Sequence, residues 1–283
     1  PRKWLYQTPE EILIKASNGA SDFGNKFGQP LICGSVLTFE HFAGPRRYGF
    51  DKVIMLAGGI GLGKKADSTK DTPEKGDLIV LLGGDNYRIG MGGGAVSSVD
   101  TGAYDSAIEL NAVQRANPEM QKRVYNALRA MAESDRNPVV SLHDHGAAGH
   151  LNCLSELVEE TGGRIDNSKL PVGDPTLSAR EIIGNESQER MGLVIRSADA
   201  ETLISIAQRE RAPVYIIGEV TGDHQFTFYN TVSGEKPIDL QLSDFFGKPP
   251  RTVMNDSTLH NPAGDVRYDP SDPVRYLDAV LQL

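Results

Sequence analysis

The stretch PVVSLHDHGAAGH, residues 138–150, contains the clearest secondary-structure pattern in this chain. The apolar run at 138–142 predicts a buried strand, and Asp144 follows it where that strand should end. Residues 150–161 then show helical spacing and predict a helix closed by Gly162. A strand, a short glycine-rich loop and a helix are typical of proteins that hold ligands at strand ends.

Outward from this stretch, strand and helix patterns alternate. Further strands are predicted at 31–39, 52–57, 77–82, 192–195, 214–220 and 225–229. Further helices are predicted at 9–16, 117–133, 179–184, 198–211 and 273–281, with Ser178 as an N-cap. The strands at 214–220 and 225–229 are predicted to pair through the short connection between them. The alternation predicts an α/β or α+β fold.

Composition excludes several classes of protein. The chain has 283 residues, 39% of them hydrophobic, and a formal net charge of −9, which argues against nucleic-acid binding. No apolar stretch approaches the roughly 20 residues that cross a bilayer, and the first residues lack the apolar core of a signal peptide. Cys33 and Cys153 are too few for a disulfide framework, and both are predicted to be buried thiols. These features favour a cytoplasmic protein.

Two polar segments suggest boundaries along the chain. Residues 64–75 are rich in Lys, Asp and Thr and predict a linker or an exposed loop, which places a boundary near residue 74. The tail from residue 249 is rich in Pro, Asp and Asn and predicts a surface extension. The chain therefore divides into 1–74, 75–248 and 249–283.

A glycine-dense run, GMGGGAVSS at residues 90–98, is a candidate phosphate site. Backbone amides at Gly92, Gly93 and Gly94 could approach a phosphate closely. The run does not match the dinucleotide fingerprint or the P-loop, so a bulge or turn in a sheet is the alternative.

The histidines around Asp144 raise the question of a metal site. His143, His145 and His150 could bind zinc in a hydrolase, but no recognisable zinc spacing follows them. Asp144 fits Mg²⁺ better, because Mg²⁺ takes one or two carboxylates together with substrate phosphates. The alternative for His143 and His145 is ordinary hydrogen bonding within the loop.

The run NESQER at residues 185–190 is a second polar segment beside a predicted strand. Glu186, Ser187 and Gln188 could recognise a polar ligand through paired donors and acceptors, and Gln114 is a weaker candidate of the same kind. A solvated turn is the alternative.

Taken together, the motifs resemble phosphoribosylformylglycinamidine synthase, the purine-pathway amidotransferase, in its large single-chain form. The stretches that carry the resemblance are ASDFGNKFGQP (20–30), IMLAGGIG (54–61), NYRIGMGGGAVSS (86–98), VQRANPEMQKR (113–123), HDHGAAGH (143–150), IIGNESQER (182–190) and RERAPVYIIGEV (209–220). They follow the family's order across most of residues 10–250.

The resemblance implies a fold like that of aminoimidazole ribonucleotide (AIR) synthetase. Residues 75–248 would form a C-terminal-type lobe, preceded at 1–74 by the end of an N-terminal-type lobe. The family uses ATP, Mg²⁺ and ammonia from glutamine to convert formylglycinamide ribonucleotide to formylglycinamidine ribonucleotide. ATP phosphorylates the amide oxygen, and ammonia then attacks the carbon.

The resemblance also implies roles for individual residues. Asp144 matches a magnesium ligand, and Gln114, Glu186, Ser187 and Gln188 match positions that contact the ribonucleotide. A loop at 15–24, including Ser17, Asn18 and Gly19, matches a nucleotide-contacting loop, although this chain has KASNG at 15–19 where the family often has DGPLG.

The family's catalytic histidine, its ATP-binding lysine, its second synthetase half and its glutaminase domain have no counterpart in these 283 residues. The chain is therefore expected to be an internal fragment that carries no catalytic residue and is inactive alone, with the remaining domains of the enzyme as partners. The alternative is a non-catalytic binding or scaffolding module with a degenerate nucleotide site, which self-associates through its N-terminal strands.

Overall fold

The structure is a computed structural model that describes residues 8–29, 31–37, 39–49, 54–92, 96, 99, 103–112, 117–187, 189–248, 250–255, 257, 267 and 269–282. The strands are β1 Cys33–Leu37, β2 Glu40–Ala43, β3 Arg46–Gly49, β4 Ile54–Gly58, β5 Leu78–Leu82, β6 Val139–Asp144, β7 Gly163–Asp166, β8 Met191–Ile195, β9 Val214–Val220, β10 Gln225–Tyr229 and β11 Ile238–Gln241. The helices are α1 Pro9–Phe27, α2 Ser106–Leu110, α3 Pro118–Ala132, α4 Gly149–Leu157, α5 Ala179–Ile183, α6 Ala200–Arg209, α7 Leu242–Phe245 and α8 Pro273–Leu281.

A seven-stranded sheet organises the larger part of the chain. Its strand order is β11-β10-β7-β9-β5-β8-β6. Neighbouring strands are antiparallel except for β7 and β10, which run parallel. Helices cover the sheet, so the architecture is the mixed α/β, α+β fold that the sequence predicts.

The central strand β5 is buried on both faces, which explains why its sequence LIVLL shows no polar alternation. Ile79 and Leu81 point into one core cluster, with Leu154 of α4 and Phe226 of β10. Val80 and Leu82 point into the opposite cluster, which contains Val124, Ala127 and Met131 of α3 and Leu203 and Ala207 of α6. Because successive strand residues face opposite sides, one five-residue strand supports two cores.

The predicted pairing of the strands at 214–220 and 225–229 is wrong. β9 and β10 are separated by β7, which pairs with β9 on one side and with β10 on the other. The sequence prediction missed β7, since its four residues follow Gly162 and resemble the end of a helix rather than a strand. It also missed β11, which pairs with the outer side of β10.

The N-terminal segment begins with one long helix. α1 runs from Pro9 to Phe27 and starts with a capping box between Thr8 and Glu11. The expectation of a loop at residues 15–24 is therefore wrong, because the chain stays helical until Gly28 ends the helix with a φ of 69°.

The four N-terminal strands form two separate antiparallel pairs, β1 with β4 and the hairpin of β2 with β3. Most of their side chains are exposed, including Phe42, Leu56 and Cys33. The prediction that Cys33 is a buried thiol is thus wrong, whereas Cys153 is buried as predicted. The apolar runs at 31–39 and 52–57 predicted β1 and β4 but overstated their burial, and β2 and β3 were not predicted.

The chain divides into two compact units, Pro1–Gly247 and Lys248–Leu283. Within the second unit, α8 has the predicted bounds, and the Asp272 side chain caps its first turn by accepting from the Arg275 amide. The predicted boundary near residue 74 stays a prediction. Among the residues that the structure describes, no helix is long and apolar enough to cross a membrane.

Candidate functional site

Three polar segments meet at one end of the large sheet. β6 ends at Asp144, and its antiparallel neighbour β8 begins at Met191, which lies opposite Asp144. β5 also ends there, with Leu82 opposite Met191. In antiparallel pairs the end of one strand meets the start of the next, so the segments after β5, after β6 and before β8 are brought together.

Backbone hydrogen bonds join these segments. The Ser187 amide donates to the His145 carbonyl at 3.2 Å, and the His145 amide donates to the Arg190 carbonyl at 3.3 Å. The Glu186 amide donates to the Gly90 carbonyl at 2.7 Å. The loop after Asp144 and the NESQER run therefore form one structural unit.

The Arg190 guanidinium lies at the centre of this unit and is fully buried. Its Nη1 donates to Asn86 Oδ1 and, at 2.8 Å, to His150 Nε2. Its Nη2 donates to the Asn185 carbonyl at 3.1 Å and to Asn185 Oδ1. Burial lowers the pKa of Arg190 to about 10, although the carboxylates of Glu189 and Asp85 act in the opposite direction and raise it. The guanidinium therefore stays charged at neutral pH.

Two buried histidines extend the network. His150 Nδ1 lies 2.9 Å from His145 Nε2, and the two rings meet edge to face. Burial, followed by the positive charge of Arg190, holds the pKa of both histidines well below the ordinary value. A guanidinium only donates, so His150 Nε2 accepts in its contact with Arg190, whereas its 3.1 Å contact with Asn86 Oδ1 requires it to donate; the two contacts favour opposite neutral tautomers of His150.

Asn86 and Asn185 use both ends of their amides. Asn86 Nδ2 donates to the Pro171 carbonyl at 2.7 Å, while Asn185 Nδ2 donates to the carbonyls of Tyr87 at 2.9 Å and Ile89 at 2.7 Å. Both side chains are fully buried. Each amide thus links Arg190 to backbone carbonyls, Asn86 to the segment after β7 and Asn185 to the segment after β5.

Gly149 lets the start of α4 press against Asn185. A Cβ at this position would lie 2.2 Å from the Asn185 carbonyl oxygen, and the backbone has a φ of +54°. Only glycine fits both conditions without strain. The glycine of the motif HDHGAAGH therefore has a packing role in bringing the two polar segments together.

Asp144 differs from these neighbours because its side chain is 67% exposed at the end of β6. In the preceding His143, Nδ1 donates to the Asp144 carbonyl at 2.8 Å and lies 3.5 Å from Asp144 Oδ1, while Nε2 pairs with the carboxylate of Glu156. Glu156 also accepts from Asn152 Nδ2 at 2.8 Å. His143 is held by hydrogen bonds, and Asp144 remains open to solvent.

The structure places the other predicted site residues as follows. Glu186 is partly buried beside Gly90, while Ser187 is fully buried with its hydroxyl donating to Glu189 Oε2. Ser187 therefore uses both its hydroxyl and its amide within the protein. Gln114 and Gln188 lie outside the described residues.

The candidate phosphate residues lie in two places. Gly92 follows the Asn86–Gly90 segment and has a φ of +132°, a conformation that favours glycine, whereas Gly93 and Gly94 lie outside the described residues. Ser17, Asn18 and Gly19 are exposed on α1. In mid-helix their amides make intrahelical hydrogen bonds, so only the side chains of Ser17 and Asn18 are available to a ligand.

The donor set fits magnesium better than zinc. Among the described residues, no group of three or more His, Cys, Asp or Glu side chains could hold a metal ion. His145 and His150 are fully buried; His145 Nε2 lies against His150 Nδ1, and His150 Nε2 bonds to Arg190, so these three ring nitrogens are already engaged within the protein. A single open carboxylate at Asp144 suits Mg²⁺ that completes its shell with water and substrate phosphates.

A cavity of about 1970 Å³ lies elsewhere, between α1, the segment after β4, α3 and β6. Its lining includes Gly19 and the residues of β6 up to Leu142, but it stops short of Asp144. We place the candidate site at the open sheet end rather than in this cavity, because the polar side chains with defined partners converge there.

A comparison with protein families identifies the class. Residues 74–230 match the AIR synthase related protein, C-terminal domain. This match covers more than half of the chain, and the chain belongs to that family.

Within that class, the chain is similar to proteins named phosphoribosylformylglycinamidine synthase. It is 40% identical over 261 residues to the probable chloroplastic or mitochondrial phosphoribosylformylglycinamidine synthase of Arabidopsis thaliana, and 40% identical over 265 residues to the Homo sapiens phosphoribosylformylglycinamidine synthase. Each alignment covers 87% of this chain but only 18% and 20% of the respective relative. The chain thus spans about a fifth of the length of these relatives.

Solved structures show the same fold. Thermotoga maritima PurL complexed with FGAR (formylglycinamide ribonucleotide) superposes with a TM-score of 0.71 at 24% identity, covering 92% of this chain and 41% of that chain. The same protein complexed with ATP gives a TM-score of 0.63 at 21% identity, covering 93% of this chain and 40% of that chain. The AIR synthetase-like fold expected from the resemblance is therefore confirmed.

Sequence reasoning missed the residues that hold the site together. Arg190, Asn86 and Asn185 lie within the stretches that carry the family resemblance, but the sequence patterns predict no role for them. One feature of the sequence could have indicated that Arg190 is buried. It directly precedes the apolar strand MGLVI, and a charged residue in that position lies close to a core. Burial of the guanidinium requires three segments to meet, which one sequence does not reveal.

Proposed function

We propose that this chain is part of the ATP-dependent synthetase of a phosphoribosylformylglycinamidine synthase, a carbon–nitrogen ligase of purine biosynthesis with glutamine as the nitrogen donor. The observation that carries the proposal is the junction of the Asp144 loop with the Glu186–Ser187 segment at one sheet end. The names of relatives aligned over 87% of the chain support the reaction. The reaction would convert formylglycinamide ribonucleotide, ATP and ammonia to formylglycinamidine ribonucleotide, ADP and phosphate.

In this proposal each segment has a distinct task. Asp144 would hold Mg²⁺, which offsets phosphate charge when bound. The ribonucleotide would be contacted by Gln114, Glu186, Ser187 and Gln188. Because the Ser187 hydroxyl is already bonded to Glu189, Ser187 would contribute through the position that it gives this segment. Gly92, Gly93 and Gly94 would approach a phosphate, and Ser17, Asn18 and Gly19 on α1 remain a second candidate nucleotide surface.

The chain alone is proposed to bind ligand without completing the reaction. It spans about a fifth of its relatives, and the remaining domains of the full enzyme would be its partners. The proposal keeps the cytoplasmic location expected from the sequence, whereas the name of the Arabidopsis relative places that protein in chloroplasts or mitochondria.

Calorimetric titration tests the proposal. We expect formylglycinamide ribonucleotide to bind the purified chain with Mg²⁺ present, and Asp144→Asn and Gln188→Ala to weaken binding by about tenfold or more. Asp239→Asn on the far edge strand β11 is the matched control and should bind like the parent. An absence of binding to the parent chain would instead favour the scaffolding alternative, for which the exposed apolar side chains of β1–β4 provide a surface.

A turnover assay tests the claim that the chain is incomplete. We expect no amidine product when the chain is mixed with the ribonucleotide, ATP, Mg²⁺ and ammonia. Sustained formation of the amidine by the purified chain would contradict that claim while supporting the reaction.

A further inference from the structure

We infer that Arg190 is a positioning residue whose buried guanidinium fixes the spacing between the Asp144 loop, the NESQER run and the segment after β5. Its two terminal nitrogens reach all three segments, through His150, Asn185 and Asn86. The His150 ring also contacts all three segments, through His145, Asn86 and Arg190, but a neutral imidazole carries a single proton, whereas the guanidinium donates from both of its terminal nitrogens. The part of the inference that concerns ligand binding rests on the proposed function.

The geometry requires arginine rather than another cation. Nη1 and Nη2 point in different directions, so one rigid planar group serves a histidine nitrogen, a backbone carbonyl and two side-chain amide oxygens. A lysine ammonium at this depth lacks the fork that spans these acceptors. Loss of the guanidinium would leave the side-chain oxygens of Asn86 and Asn185 buried without this donor.

The position of Arg190 in the chain explains how it acts on the site. It directly precedes β8, whose first residue lies opposite Asp144, so a shift of Arg190 moves the strand start that supports Asp144. Gly83 also leaves room for this side chain, since a Cβ there would lie 2.7 Å from Arg190 Cγ. The protein therefore accommodates both the polar guanidinium and the apolar stem of Arg190.

A matched control lies at the other end of the same strand. Arg196 directly follows β8, donates from Nη1 to Asp77 Oδ2 at 2.6 Å and is about one-third exposed. It links the 72–77 segment to the sheet, away from Asp144. Arg190→Lys and Arg196→Lys thus make the same chemical change at the two ends of β8.

Amide hydrogen exchange on the full chain without ligand is the first test. In Arg190→Lys we expect the amides of His145, Glu186 and Ser187 to exchange about tenfold faster together, while those of β5 keep parental rates. In Arg196→Lys these three amides should exchange as in the parent. A folded Arg190→Lys with parental exchange at all three amides, or an Arg196→Lys that accelerates them equally, would overturn the inference.

If Arg190→Lys does not fold, the parent chain itself decides. Nitrogen-detected NMR should show separate, slowly exchanging Nη resonances for Arg190, because both nitrogens are bonded in a fully buried guanidinium, and averaged resonances for Arg196, whose side chain is about one-third exposed. The Arg196→Lys spectrum identifies the second set. Averaged, rapidly exchanging Nη signals for Arg190 would overturn the inference.

Titration with formylglycinamide ribonucleotide and Mg²⁺ then connects the arginine to ligand binding. We expect about tenfold weaker binding in Arg190→Lys and parental affinity in Arg196→Lys. Parental affinity in a folded Arg190→Lys would overturn the positioning role. If the parent binds no ribonucleotide, the proposed function fails, and the exchange experiment still decides whether Arg190 fixes the three segments.

Discussion

The candidate site contains two sets of polar residues that behave differently. Asn86, His150, Asn185 and Arg190 are fully buried and bond to one another. Asp144 lies a few residues from this set along the chain but is mostly exposed. The difference shows that polarity in a motif does not by itself mark a ligand contact, because the buried set supports the loop that carries the exposed carboxylate.

The comparison leads to a simple expectation. Changes in the buried set should lower the free energy of unfolding first and affect ligand binding through the resulting movement, since an unpaired buried polar group is costly. Changes at Asp144 should affect binding with little effect on stability.

The largest effect is expected for Gly149→Ala, which forces the two segments apart. The new Cβ would lie 2.2 Å from the Asn185 carbonyl oxygen, so we expect the free energy of unfolding to fall by about 3 to 5 kcal/mol in urea denaturation. Gly234→Ala is the control, because its φ is also positive but nothing lies within 4 Å of the new carbon. That variant should lose only about 1 kcal/mol, and equal losses in both would show that close approach at Gly149 is unimportant.

Asn185→Ala is expected to have the next largest effect. It removes an acceptor for Arg190 and the donor to the Tyr87 and Ile89 carbonyls, so we expect a loss of about 2 to 4 kcal/mol in the free energy of unfolding. Asn111→Ala removes a solvent-exposed amide that donates to Ala107 and should lose less than about 0.5 kcal/mol. A loss at Asn185 no larger than at Asn111 would mean that water replaces these bonds.

Several local elements of the fold were predicted correctly from the sequence. The strand that ends near Asp144 and the helix Pro273–Leu281 follow from local patterns, as does the Ser178 cap, which is completed by Glu181. These features depend on contacts within a few residues, which a single sequence records directly.

Long-range features were not predictable in the same way. β7 has only four residues, GRID, and its strand identity depends on partners from β9 and β10 far along the chain. Likewise, nothing local distinguishes Arg190, which is fully buried, from Arg196, which is partly exposed six residues later. Burial of a charge depends on which segments meet, and the topology determines that.

A smaller effect is expected from acidification, because His150 is held neutral in the folded protein. Burial and then the charge of Arg190 keep the pKa of His150 well below that of an unfolded histidine. Above about pH 6.5 both states are neutral, and below it the unfolded state binds the extra proton, so stability falls as pH decreases toward the folded-state pKa. In metal-free buffer the parent should lose up to about 1.4 kcal/mol per pH unit more than His150→Gln between pH 6.5 and 5.

Asp223→Asn provides the control for this pH dependence. The hydrogen bond from Thr221 is the main cause that lowers the pKa of Asp223, so any contribution from this group is lost only at more acidic pH. The control should follow the parent between pH 6.5 and 5. Parallel curves for the parent and His150→Gln would contradict the assignment of a neutral buried histidine.

The smallest effect on stability is expected at Asp144, where the effect on binding should be the clearest. Because the side chain is 67% exposed, Asp144→Asn should change the free energy of unfolding by less than about 0.5 kcal/mol. The same variant should lose the Mg²⁺-dependent part of ribonucleotide binding in calorimetric titrations, while its binding without Mg²⁺ should equal that of the parent. Glu156→Gln is the neighbouring control, since it weakens the hold on His143 but leaves the Asp144 carboxylate in place. If Asp144→Asn were destabilised as strongly as Asn185→Ala, the carboxylate would belong to the buried supporting set, and the division between the two sets would be wrong.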